Sequence, residues 1–152
     1  MFGRLFGKKQ DPARQRHIQT MQQIKAALLR LKRVYEQTSR RPAQASLRQI
    51  CMAAERVLDV LAKEPAHTAR LALFAEYYLP ETASIAEQYA LRVKSGASSQ
   101  DAEEFTAATE DFFRQAADAF DAILQGLLAD GGQRAEVDME VLLAALKERG
   151  PQ

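Results

Sequence analysis

Leu73 to Val93 reads LFAEYYLPETASIAEQYALRV, two helical pieces joined through Pro80. Proline has no backbone N–H to donate, and its ring crowds the carbonyl four residues back, so a straight helix through it is costly. The residue before it, Leu79, is pushed away from helical angles. Glu81 then falls in the first turn of the following helix, where a negative charge suits the helix dipole. Adjacent tyrosines on a helix point about 100° apart, so of Tyr77 and Tyr78 one can be buried while the other faces out.

The pattern on either side of this stretch is amphipathic helix. Asp11-Pro12 is a helix start, with Asp as cap and Pro in the first turn. From there Met21, Ile24, Leu28, Leu31 and Tyr35 keep a 3-4-3-4 spacing to about Gln37, a coiled-coil-like seam about 40 Å long. Arg40-Arg41-Pro42 ends that helix. Ser46 with Gln49 forms a capping-box pattern, followed by a stripe of Leu47, Ile50, Cys51, Ala54, Val57, Leu58 and Leu61 that closes at Glu64-Pro65. A third helix is expected over about His67–Tyr78, with Leu71, Phe74 and Tyr78 inward. A fourth is expected over Pro80–Lys94, stopping at Ser95-Gly96. Ser98 or Ser99 caps a long fifth helix, reaching about Leu128, whose apolar line is Phe105, Ala108, Phe112, Ala116, Ala119, Ile123 and Leu127. Gly131-Gly132 terminates it, and Asp138 caps a last helix carrying Leu142, Leu143 and Leu146. No alternating strand pattern or internal repeat is present. The expectation is an all-α, elongated antiparallel bundle of about six helices, two of them long, in one domain spanning residues 11–150.

Composition agrees with that class. The chain has 152 residues, seven glycines and one cysteine, enough length for a core without disulfide staples. No apolar run is long enough to cross a bilayer, which points to a cytoplasmic protein. The formal net charge of +1 conceals a polarity along the chain. Residues 1–50 hold twelve Lys and Arg against two acids, while residues 101–152 hold four against twelve. Such an asymmetry suggests that the two ends pair or that one meets a charged partner. The expectation drawn from it is that helices Pro12–Gln37 and Ser99–Leu128 lie antiparallel against each other. Residues 1–10 form a flexible basic end in which Phe2, Leu5 and Phe6 lie beside Lys8 and Lys9. That is the composition of a small membrane contact, peripheral at the inner face.

Residues able to do chemistry are few. Cys51 to Arg56 resembles a cysteine phosphatase loop only loosely, since the spacing is four rather than five and no glycine frees amides for a phosphate. Cys51 also sits on an apolar stripe, where a thiol behaves as a small hydrophobe. Glu64-Pro-Ala-His67 has the Glu-x-x-His spacing of di-iron bundles, but those sites need a second such motif and two more glutamates. The other histidine, His17, has no carboxylate three residues before it. The acidic loop around Asp130, Glu136, Asp138 and Glu140 lacks the ligand order of a calcium loop. No metal, cofactor or catalytic residue is implied. The basic third lacks interleaved aromatics, which argues against nucleic acid. The paired aromatics Tyr77 and Tyr78, with Pro80 and Tyr89, are the candidate interaction residues.

Tyr77-Tyr78-Leu79-Pro80-Glu81-Thr82, followed by Ile85 and Tyr89, resembles the signature of the XpaC-like family, described as 5-bromo-4-chloroindolyl phosphate hydrolysis proteins. Val137-Asp138-Met139-Glu140-Val141-Leu142 through Leu146 resembles the same family's closing segment, and Ala54 to Asp59 also fits. Many members carry an N-terminal membrane hairpin, where this chain has the short segment Met1–Lys9. The resemblance implies a bacterial helical protein that works beside TelA-like toxic-anion (tellurite) resistance proteins. It leads to an expected role as a non-catalytic adaptor in an anion-stress or envelope-stress response. The alternative it implies is a phosphate-monoester hydrolase, for which it supplies no catalytic residues. Self-association is left open.

Overall fold

The computed structural model describes residues 11–96, 98–129 and 133–149. The N-terminal segment with Phe2, Leu5, Phe6, Lys8 and Lys9 lies outside the described residues. Among the described residues there are five α-helices: α1 (Pro12–Gln37), α2 (Arg41–Lys63), α3 (Leu79–Ser95), α4 (Gln100–Ala129) and α5 (Gln133–Arg149). No strand occurs among the described residues.

Several boundaries follow the local chemistry. The Asp11 carboxylate accepts the Ala13 N–H at 3.1 Å, closing the start of α1. Ser99 Oγ accepts the Ala102 N–H at 3.1 Å at the start of α4. Gly96, with φ of 70°, takes the left-handed angles that end α3.

Other boundaries depart from expectation. Helix α2 begins at Arg41 rather than Ser46, because Pro42 fits a first turn as well as it ends a helix. Ser46 is buried within that helix instead. The expected third helix, His67–Tyr78, is instead a 3₁₀ turn at Pro65–His67, a run of turns, and a π-helical turn at Phe74–Tyr78 that leads straight into α3. The final helix begins at Gln133 and passes through Asp138.

The π turn also corrects the expected break at Pro80. Leu79 is helical, with φ −72° and ψ −46°, and its N–H reaches back five residues to the Phe74 carbonyl. Widening the turn changes the hydrogen-bond register just where the proline cannot donate, so the chain stays helical through Pro80. Thr82 Oγ1 adds a bond to the Tyr78 carbonyl at 2.7 Å.

Cross-helix contacts fix the topology. α1 and α2 form a short-looped hairpin, tied by Lys32 to Glu55 at 2.7 Å and by His17 Nε2 to the Leu61 carbonyl at 3.0 Å. α3 and α4 form a second hairpin, with Tyr89 near Phe113 and Arg92 over the Phe105 ring. The hairpins stack so that α1 runs parallel to α3 and α2 runs parallel to α4. Arg30 clamps Glu87 at 2.7 and 3.0 Å and Ser84 at 2.9 Å across the first pair. Arg40 meets Glu110, and Gln49 meets Asp121, across the second. The segment from Glu64 to Tyr78 therefore crosses the bundle diagonally, and Arg70 donates to the Gly126 carbonyl as it passes. Helix α5 lies antiparallel on α4 and touches the π turn.

In this arrangement α1 and α4 are diagonal partners, not neighbours. The expected pairing of the two long helices is wrong. α1 packs on α2 and α3, whereas α4 packs on α2, α5 and, more lightly, α3. Complementary net charge did not decide the neighbours because exposed ion pairs contribute only about 0–1 kcal/mol each. Apolar area decided it: α2 buries Leu47, Ile50, Val57 and Leu61, and α4 buries paired rows that include Phe112, Phe113, Phe120 and Leu124. Because α4 is wrapped on several sides, its buried face is far broader than a heptad seam.

The aromatic centre joins the crossing segment to α4. Phe74 meets the Phe120 ring edge-on, with centroids 5.2 Å apart, and both side chains are fully buried. Replacing Phe120 with Ala should lower unfolding free energy by about 3–5 kcal/mol in chemical denaturation. A loss below about 1 kcal/mol would show that this contact does not anchor the crossing.

Candidate functional site

The four expected interaction residues fall into two places. Tyr77, Tyr78 and Pro80 sit at the π turn, while Tyr89 sits three helical turns further along α3. Tyr78 is buried and Tyr77 is 37% exposed, a division that adjacent helical positions allow. Their rings lie 5.6 Å apart. Pro80 is half-buried.

Tyr77 is bracketed by α5. Lys147 donates to the Tyr77 hydroxyl at 3.2 Å, lies 5.5 Å from the ring centroid, and pairs with Glu81 at 3.3 Å. Those partners, the tyrosine hydroxyl first and the glutamate second, raise the Lys147 ammonium above its ordinary value. A single lysine thus fastens the last helix to the π turn.

Tyr89 belongs to a different cluster, at the end of the bundle where α1 passes into α2. Its hydroxyl donates to Glu110 Oε2 at 2.5 Å, and Arg40 Nε donates to the same oxygen at 2.5 Å. Burial works to raise the Glu110 carboxyl, but the hydrogen bonds from Arg40 and Tyr89 outweigh it and hold the group below its ordinary value. Tyr89 is shifted upward by burial first, then by its bond to the Glu110 carboxylate. An open cleft of about 590 Å³ lies alongside, lined by Gln37–Arg40 on one wall and by Tyr89, Ala90, Val93 and Lys94 on the other. Its walls combine an apolar side from α3 with the polar loop between α1 and α2.

This cluster was not read from the sequence. Arg40, Tyr89 and Glu110 are widely separated along the chain, and no local spacing links them. The expectation of Tyr89 as part of an interaction surface does not hold, because its side chain is buried between α3 and α4.

The other reactive side chains are engaged in packing. Cys51 is buried, and burial pushes its thiol up to about 11. Glu64 and His67 face each other at 3.2 Å. Among the described residues no three His, Cys, Asp or Glu side chains come together as a metal site, and no helix is long and apolar enough to cross a membrane.

Comparison with known proteins returned no matching family model, no matching curated protein and no matching solved structure.

The state of Glu110 makes its contribution to stability pH-dependent. A carboxyl held lower in the folded chain than in the unfolded one stabilises the fold above the unfolded pKa, about 4.3. That contribution is lost as pH falls through the folded value. The stability advantage of the wild type over Glu110→Gln, measured by urea unfolding, should be present at pH 7 and shrink steadily as the pH is taken below 4. A difference that stays constant down to pH 3 would mean that the carboxylate is not the stabilising form.

Proposed function

We propose that this chain is a non-catalytic helical adaptor that binds a protein partner in a bacterial toxic-anion (tellurite) or envelope-stress response. The setting and the partner, a TelA-like resistance protein, rest on the resemblance carried by Tyr77–Thr82 and Val137–Leu146. The adaptor role is supported by one observation above the rest: the side chains with reactive chemistry serve packing and interhelical bonds, whereas Tyr77 offers a partly exposed ring. Cys51 fills the core, His17 bonds a backbone carbonyl, and Glu110 links three helices. Tyr77 presents its aromatic face at a π turn, beside the exposed Leu73. Large aromatic anchors of this kind carry a disproportionate share of binding energy in protein interfaces.

Tyr77→Ala should weaken capture of a purified TelA-like protein at least tenfold while lowering the melting transition only modestly, since Lys147 keeps its pair with Glu81. Equal capture by both would remove Tyr77 from the interface. The same preparation, freed of contaminating alkaline phosphatase, should give no turnover of indolyl or nitrophenyl phosphate above a heat-treated control. Phosphate monoesters are so inert that real catalysis demands strong, preorganised stabilisation of the transferring group. Turnover that survives repurification would replace the adaptor with a hydrolase.

We also propose that Phe2, Leu5, Phe6, Lys8 and Lys9 make a peripheral contact with anionic lipid, by shallow apolar insertion and charge attraction. Deleting residues 1–10 should reduce co-sedimentation with phosphatidylserine vesicles, most strongly at low salt. Unchanged co-sedimentation, or none by either form, ends the idea.

A further inference from the structure

Where α1 turns away into α2 it parts from α3, and the cleft of about 590 Å³ opens between them. That volume falls within the usual range of small-molecule sites, about 300–1,000 Å³. Both walls follow from local sequence. Tyr89, Ala90, Val93 and Lys94 recur at helical spacing, so they share one face near the end of α3. Val93 is exposed, Ala90 is half-buried, and the buried Tyr89 forms the base. The facing wall is the loop of residues 38–40, with Gln37 at its edge.

That loop is held in shape from within. Thr38 donates its N–H to the Tyr35 carbonyl at 3.2 Å and its hydroxyl to the Val34 carbonyl at 2.6 Å. Its own carbonyl accepts from the Gln44 side-chain amide at 3.2 Å. Arg40 is fixed by Glu110, which also receives the Tyr89 hydroxyl. Walls fastened in this way lose little freedom when something binds between them.

The charges lining the cleft are of one sign. Arg40 and Lys94 line it, and no carboxylate does. The grooves beside α2 differ: Lys32 and Arg56 share one with Glu55 and Asp59, and Arg48 and Arg56 share the other with Asp121. Glu110 neutralises Arg40 from behind, but Lys94 meets no carboxylate within ion-pair distance among the described residues. Arg40 keeps unused donors as well. A guanidinium has five N–H groups, and Glu110 takes one from Nε and one from Nη2. The Arg40 side chain is half exposed. Gln37 and Ser39 are exposed, and their side chains make no hydrogen bond to another described residue.

An apolar wall thus stands beside one uncompensated positive charge and several unused donors. A single such charge suits a monoanion better than a phosphate group, which carries about −1.5 to −2 at neutral pH. We propose that the cleft binds a small amphiphilic carboxylate, its apolar body along Ala90 and Val93 and its carboxylate toward Lys94, Ser39 and the free edge of Arg40. This site is separate from the Tyr77 surface, and neither reading depends on the other.

Two-dimensional NMR on the isotopically labelled full chain tests the proposal, with sodium octanoate as the probe. Amide resonances of residues 37–40 and 89–94 should shift saturably, while those of α5 stay still. Acetate and inorganic phosphate, which lack an apolar body, should bind at least tenfold more weakly. Octylammonium, with the same body and the opposite charge, should also bind at least tenfold more weakly. Lys94→Glu should weaken octanoate at least tenfold, and Val93→Ser at least threefold. Lys25→Glu makes the same charge change at an exposed position of α1, about three helical turns before the cleft, and should leave the affinity unchanged. Melting close to wild type in these variants separates loss of the site from loss of the fold. If a cleft variant melts early, the comparison of octanoate with octylammonium on the wild type decides alone. The absence of saturable shifts up to 20 mM octanoate overturns the proposal, as do shifts scattered over the whole surface. Equal affinities for Lys94→Glu and Lys25→Glu overturn it too, and so does octylammonium, acetate or phosphate binding as well as octanoate.

Discussion

A helix that must pass through a proline sets the geometry of this bundle. Widening one turn at Phe74–Tyr78 lets the chain keep helical angles at Leu79 and enter α3 without a corner. Phe74, Tyr78 and Tyr89 then all reach the core from one helical body. The alternative, two helices hinged at Pro80, would leave carbonyls before the hinge to be satisfied elsewhere, at a cost of about 1–3 kcal/mol for each one buried and unpaired. The diagonal crossing from α2 to α3 depends on this solution. Its incoming half consists of tight turns at Pro65–Leu71, and its outgoing half is already helix.

Topology then determines which polar groups can meet. With the two hairpins stacked in parallel, the loop after α1 comes close to the middle of α3 and the first half of α4. Arg40, Tyr89 and Glu110 converge there, and one carboxylate oxygen receives both donors. Across the bundle, Arg30 performs a similar task between α1 and α3 with a two-pronged grip on Glu87. The hydrogen bond from Arg30 holds the Glu87 carboxyl below its ordinary value, against the opposing effect of burial. These bonds specify which helices are neighbours more than they add stability, since burial of apolar side chains stabilises the bundle more than they do.

The sequence was most informative about what is local. Caps at Asp11, Ser99 and Gly96 were legible because each is a short-range hydrogen bond or a backbone angle set by one residue type. Inward-facing residues such as Ile24, Leu47, Phe112 and Tyr78 were legible because burial repeats with the helical period. Ser46-x-x-Gln49 misled, since a capping pattern carries no information on whether Pro42 has already opened the helix. The pairing of α1 with α4 misled for a different reason. Net charge is additive along a chain, but neighbour choice depends on shape, and no one-dimensional reading distinguishes an adjacent helix from a diagonal one. The Arg40–Tyr89–Glu110 cluster was hidden by the same gap, because its members meet only after three helices are in place.

The burial of Cys51 gives the molecule a built-in reporter. It is the only cysteine in the chain, it lies 5% exposed on α2, and its thiol is pushed up to about 11. Only the thiolate reacts readily with alkylating or disulfide reagents, so the folded protein presents almost none of the reactive form. Modification must wait for the helices around α2 to part. The rate at which a thiol reagent labels this chain therefore measures how often the bundle opens, without any engineered probe.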